Sequence, residues 1–131
     1  MQSKCFCQST VIEISGDPDW IAYCHCEDCR RATGAPVTTY ASYKDDFLNY
    51  QAGELNYYES SPGTFWGSCA ICHSPMTYQT KKYVNETHLH LITIDDHEKL
   101  NPDFHVHCSE GVSWLTIDDS LPKFRGSSDE E

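Results

Sequence analysis

Seven of the eight cysteines in this 131-residue chain fall in three clusters: Cys5-Phe6-Cys7, Cys24-His25-Cys26-Glu27-Asp28-Cys29 and Cys69-Ala70-Ile71-Cys72. Cys108 stands alone. A C-x-x-C turn gathers two thiolates around one ion. In an extended strand residues i and i+2 share a face, so a C-x-C pair offers two thiols on one side. Two separated pairs and a third cluster are the pattern of a zinc protein rather than of scattered core cysteines or redox thiols. A structural zinc takes four thiolates. Cys5, Cys7, Cys69 and Cys72 supply them and close a long loop, a large constraint on the unfolded chain. Cys24, Cys26 and Cys29 remain, and three protein ligands with an open position is the catalytic pattern. Counting leaves the fourth corner open to water, a substrate, Cys108, His105 or His107; with Cys108 the second site would be purely structural. His25 points away from Cys24 and Cys26 in an extended segment, which leaves it core packing or a hydrogen bond behind the ligands.

Composition fits a metal-braced chain. The apolar fraction is 39%, low for a large core, and cross-linking by metal compensates for that. The length is that of one domain, expected over residues 1–125, followed by a disordered acidic tail over 126–131 ("GSSDEE"). The net charge of −11 argues against direct binding to nucleic acid or to an anionic membrane. No 18-residue apolar run and no signal-peptide core is found, so the protein is expected in the cytosol, with the nucleus open to it. There thiols stay reduced, which again favours metal over disulfides. The Asn85-Glu86-Thr87 sequon is then a chance match. Oligomeric state is not legible.

Strand patterns dominate. They fall at Thr10–Ile14, Val37–Ser42, Met76–Thr80, His88–Ile94, His105–Cys108 and Val112–Ile117, with a hairpin of Leu55–Glu59 and Thr64–Gly67 around Ser60-Ser61-Pro62-Gly63. Two segments look helical: Glu27–Thr33, stopped by Gly34, and the region of Asp95–Lys99. The class is mainly β, with short antiparallel strands. Trp66 and Trp114 are expected in the core.

The stretches "CFC", "CHCEDCRRATG", "YESSPGTFWGSCAICHSP" and "WLTIDDSLPKF", in that order from about Lys4 to Phe124, resemble the glutathione-dependent formaldehyde-activating enzyme family, which includes centromere protein V. The resemblance implies several small antiparallel sheets around zinc sites, a β-tent fold with few short helices. It implies two zinc ions per chain: a structural one on Cys5, Cys7, Cys69 and Cys72, and a second on Cys24, Cys26 and Cys29. The implied activity is that of a carbon–sulfur lyase on a thiol–aldehyde adduct such as S-hydroxymethylglutathione, with glutathione as the thiol.

Two departures stand out. His73 replaces the glycine that usually follows the C-x-x-C, and acidic residues outnumber basic ones although glutathione is itself net negative. Arg30 and Arg31 are the cations near the motif, and on a short helix only one faces the site. Arg30 and Ser61 are the expected substrate contacts. His25, Glu27, Asp28, Tyr40 and Ser61 are candidates for handling the proton, against the plainer reading of Glu27-Asp28 as solvated charge. The competing readings are a non-catalytic zinc-binding module for a protein partner and a metal or thiol-redox sensor.

Overall fold

The computed structural model describes residues 1–128. Among them, ten strands and one α-helix follow in chain order: β1 (Gln2–Lys4), β2 (Val11–Ile14), β3 (Trp20–Cys24), α1 (Glu27–Thr33), β4 (Thr38–Lys44), β5 (Leu48–Ala52), β6 (Leu55–Ser61), β7 (Thr64–Cys69), β8 (Pro75–Thr80), β9 (Glu86–His90) and β10 (Phe104–Val106). The mainly β, antiparallel class holds. β1, β2 and β5 form one small sheet. The other runs β10-β3-β4-β9-β8-β7-β6, antiparallel throughout except where β10 lies parallel to β3.

Side chains alternate across a strand, so each face of the large sheet carries its own set. One face carries the registered row Ile21–Ala41–Leu89–Thr77. Its apolar members cluster with Ile12 and Ile14 of the small sheet and with Tyr43, Met76 and Ile94 to make the main core. The opposite face carries Trp20–Ser42–His88–Tyr78–Trp66–Tyr58 in register across six strands. Two residues along β3 from Trp20 is Ala22, and two further is Cys24. The cysteine therefore lies on the aromatic face.

α1 spans the expected residues. Its N-cap is Cys26, whose Sγ accepts from Cys29 N at 3.2 Å. Gly34 ends it at φ 73, its N–H donating to Arg30 O. The hairpin also forms, with β6 reaching Ser61 and Gly63 at φ 81 in the turn.

Other expectations fail for local reasons. The strand over His88–Ile94 stops at His90 and continues as a 3₁₀ turn, Leu91–Thr93. The helical region near Asp95 shrinks to a 3₁₀ turn, His97–Lys99. Val112–Ile117 forms no strand, because the free edge of β10 is already taken. His105 N donates to Pro122 O, and Phe124 N donates to His105 O. Trp114 on that segment is 75% exposed and belongs to no core. Of the tail, Gly126 O accepts from His107 N and Ser127 is buried; residues 129–131 lie outside the described residues. No helix among the described residues is long and apolar enough to cross a membrane.

Candidate metal centre and cleft

None of the eight cysteines is in a disulfide. Two clusters of thiols form instead, each with all its sulfur atoms within 4.8 Å of one another: Cys5, Cys7, Cys69 and Cys72, and Cys24, Cys26 and Cys29. A tetrahedral zinc with Zn–S bonds of about 2.3 Å sets its sulfurs roughly 3.8 Å apart. Cys5–Cys7 at 3.6 Å, Cys7–Cys69 at 3.9 Å and Cys24–Cys29 at 3.6 Å match that spacing; Cys26–Cys29 is closer, at 2.8 Å. Both all-sulfur donor sets fit a soft-tolerant cation such as zinc.

The four-thiol cluster is tied into the backbone. Thr10 N donates to Cys5 Sγ, and Ile71 N and Cys72 N point to Cys69 Sγ. Hydrogen bonds from Ser9 and Thr10 hold the Cys69 thiol down at about 4, which favours its thiolate form. The first C-x-C does not rely on strand alternation as expected: β1 ends at Lys4, and Cys5 and Cys7 meet in a turn closed by Gln8 N to Cys5 O. His73 sits at φ 64, the left-handed position a glycine would fill, its N–H donating to Cys69 O. It does not join the ligand set.

The three-thiol cluster spans the junction of β3 and α1: Cys24 ends the strand, Cys26 caps the helix and Cys29 is its buried third residue. Tyr40 Oη lies 3.6 Å from Cys29 Sγ. Hydrogen bonds from Cys24, Cys26 and Tyr40 hold Cys29 at about 4, while the same crowding drives Cys24 far above its ordinary value. Burial and the adjacent Cys29 thiolate push Tyr40 well up, so it keeps its proton and stays a donor. Among the described residues no fourth Cys, His, Asp or Glu completes this set.

None of the other candidates for that corner brings a ligand atom into the cluster. His105 is 1% exposed, its Nδ1 2.9 Å from His25 Nε2 and its Nε2 2.9 Å from Asp119. That chain gives His25 its hydrogen bond, behind the thiols rather than among them. Asp119 is held at about 2, chiefly by the His105 bond. His107 Nδ1 lies 3.6 Å from Glu110. Cys108 opens a 3₁₀ turn, its N–H bound to Phe124 O.

What faces the thiols is a cleft. A chamber of about 420 Å³ is lined by all three cysteines, Tyr40 and a wall of Trp20, Trp66, Tyr78, Tyr83, His88 and Phe104. Trp20 meets His88 edge-on at 4.7 Å, and Trp66 meets Tyr78 edge-on at 4.8 Å. A second chamber of about 630 Å³ shares Asp28, Ser60, Ser61 and Trp66 with the first and adds Arg31, His73 and His90. Ser61 thus lies on both chambers. Arg30 lies on neither: its Nη1 donates to His25 O at 2.7 Å and to Glu110 O. Trp66, expected in the core, is cleft wall. Asp28 also lines both chambers. Trp20, Tyr78, Tyr83 and His88 were not singled out by sequence; the Trp20–Ala22–Cys24 alternation could have found Trp20, whereas Tyr78 and His88 join that face through strand pairing.

Fold and site define a class: a small β domain that gathers seven cysteines into two clusters able to hold metal, one of them opening on an aromatic cleft. The family model for the glutathione-dependent formaldehyde-activating enzyme matches residues 1–110, and the chain belongs to that family. A crystal structure of a Rhodobacter sphaeroides protein superposes with a TM-score of 0.62 at 21% identity, covering 78% of this chain and 92% of the other. At that identity the likeness is one of fold. No curated protein matches the sequence significantly.

Proposed function

We propose that the protein is a zinc-dependent enzyme of the carbon–sulfur lyase type, acting on a thiol–aldehyde adduct such as S-hydroxymethylglutathione. The observation that carries this reading is a three-thiol cluster whose cysteines line an aromatic cleft. Cys5, Cys7, Cys69 and Cys72 would hold a structural zinc, and Cys24, Cys26 and Cys29 a second. When bound there, zinc supplies Lewis acidity that favours the thiolate form of an incoming sulfur.

The chain's own residues supply the rest. Tyr40 Oη donates toward Cys29 Sγ and spreads its charge. The aromatic wall excludes water and holds the reactants together. In the forward direction the thiol loses its proton, its sulfur pair forms the C–S bond, and the carbonyl π pair moves to oxygen, which takes up a proton. The reverse breaks the same C–S bond and releases thiol and aldehyde. Asp28, a residue lining both chambers, would accept and return that proton, and Ser61 would hydrogen-bond the adduct's hydroxyl. The cytosol, where thiols are kept reduced, suits this chemistry.

A second reading, a non-catalytic zinc module for a protein partner, draws on the exposed aromatics Tyr57, Tyr58 and Phe65 around edge strand β6. Cobalt substitution separates the two. If the site exchanges thiols, glutathione or a smaller thiol will shift the cobalt visible bands in a saturable way. Bands indifferent to every thiol would rule the enzyme reading out.

A further inference from the structure

The chamber beside the three thiols has a chemical bias. Among the described residues, no lysine or arginine lines it, while Glu27, Asp28 and Glu110 do. Of the nearby cations, Arg30 and Lys82 line neither chamber, and Arg31 lines only the adjoining one. Arg30 is bound to two backbone carbonyls, and Arg31 Nε lies 3.2 Å from Glu27 Oε1. Lys82 Nζ lies 5.2 Å from the centre of the Tyr83 ring and does not itself line the chamber. The one histidine of the inner wall, His88, is 6% exposed, its Nε2 has no hydrogen-bond partner, and burial lowers it to about 4, so it stays neutral. His107, at the chamber's mouth, faces Glu110.

Aromatic faces attract ammonium groups and apolar bodies. Carboxylates need cations or a row of free N–H donors. Glutathione brings two carboxylates, and the chamber at the thiols is lined by three acidic side chains and by no lysine or arginine.

We propose that the thiol this chain takes at Cys24, Cys26 and Cys29 is a compact one without carboxylates, its apolar or ammonium-bearing body held against Trp20, Trp66, Tyr78 and His88. This rests on the thiol-exchange reading above and narrows its substrate class, setting a small thiol in the place of glutathione. The aldehyde adduct cleaved is then that of a small neutral or cationic thiol rather than of an anionic peptide.

The test is a titration of the cobalt-loaded full chain with thiols matched in size but not in charge: cysteamine, 2-mercaptoethanol and 3-mercaptopropionate, with glutathione alongside. Affinities are read from the visible bands and referred to each thiol's ionised fraction. Cysteamine and 2-mercaptoethanol are expected to bind about ten-fold or more tightly than 3-mercaptopropionate and glutathione. Asp28→Asn is expected to narrow the gap between cysteamine and 3-mercaptopropionate without changing cobalt stoichiometry, and added salt to narrow it too. Glutathione binding as tightly as cysteamine, or an Asp28→Asn variant with an unchanged gap, would overturn the substrate class and leave thiol exchange standing. Bands that no thiol moves would overturn both.

Discussion

Cys69 and Cys24 are both buried thiols in metal-competent clusters, yet they do different work. Cys69 joins the end of β7 to the N-terminal turn and receives bonds from Thr10 and from two backbone N–H groups. Cys24 ends one strand within a cluster confined to six consecutive residues. Cys69→Ser is therefore expected to cost several kcal/mol, roughly 10 °C or more in Tm, while Cys24→Ser costs a few degrees and abolishes thiol binding. Differential scanning of the zinc-loaded variants decides it; equal losses would contradict the division of roles. The ligands themselves were legible because C-x-C and C-x-x-C spacing encodes geometry within a few residues. Arg30 was not. Whether Arg30 or Arg31 turns toward the cleft depends on Glu110, eighty residues along the chain, whose carbonyl captures Arg30. The fourth corner was left open for the same reason: His105 is withdrawn by Asp119, a partner no local pattern announces.

At the scale of elements, β7 packs against β8 through a glycine. Gly67 follows Trp66 at the bulge where β7 and β8 shift register. A Cβ there would lie 2.2 Å from the buried Thr77 Oγ1. Gly67→Ala is expected to cost about 1–3 kcal/mol and to weaken thiol binding by displacing Trp66. Urea unfolding and the cobalt titration measure the two effects, and a variant of ordinary stability would show that β8 has room to move. The helix α1 was readable from its place behind the triple-cysteine stretch and its glycine stop, because helix ends are written locally. β3 was not read as a strand, although it carries both Trp20 and Cys24 to the aromatic face. Its short "WIAYC" run lacks the polar-apolar alternation of a half-exposed strand because both of its faces are covered. Val112–Ile117 erred the other way: the pattern suits a strand, but the edge it needed is held by Pro122–Phe124.

For the molecule as a whole, the two faces of the large sheet respond differently to pH. His88 and His90 lie on the aromatic face, and burial lowers both to about 4, below the ordinary histidine value of 6.5. The unfolded chain then binds more protons than the folded one between those values, so stability is full above about 6.5 and falls as pH drops through about 4. On the order of 2–3 kcal/mol is at stake for each histidine. Urea unfolding from pH 7 to 4.5 should show the decline, and His88→Phe should flatten it; an unchanged slope would mean that thiolate protonation alone drives acid unfolding. The proposed division is between a closed centre that braces the fold and an open one that faces the cleft. Elemental analysis during mild chelation, with circular dichroism followed in parallel, tests it most directly. The account requires two zinc ions per chain at the start and one after chelation, with the β-sheet signal unchanged. A single, tightly held ion from the outset, or loss of both ions together with the fold, would contradict it.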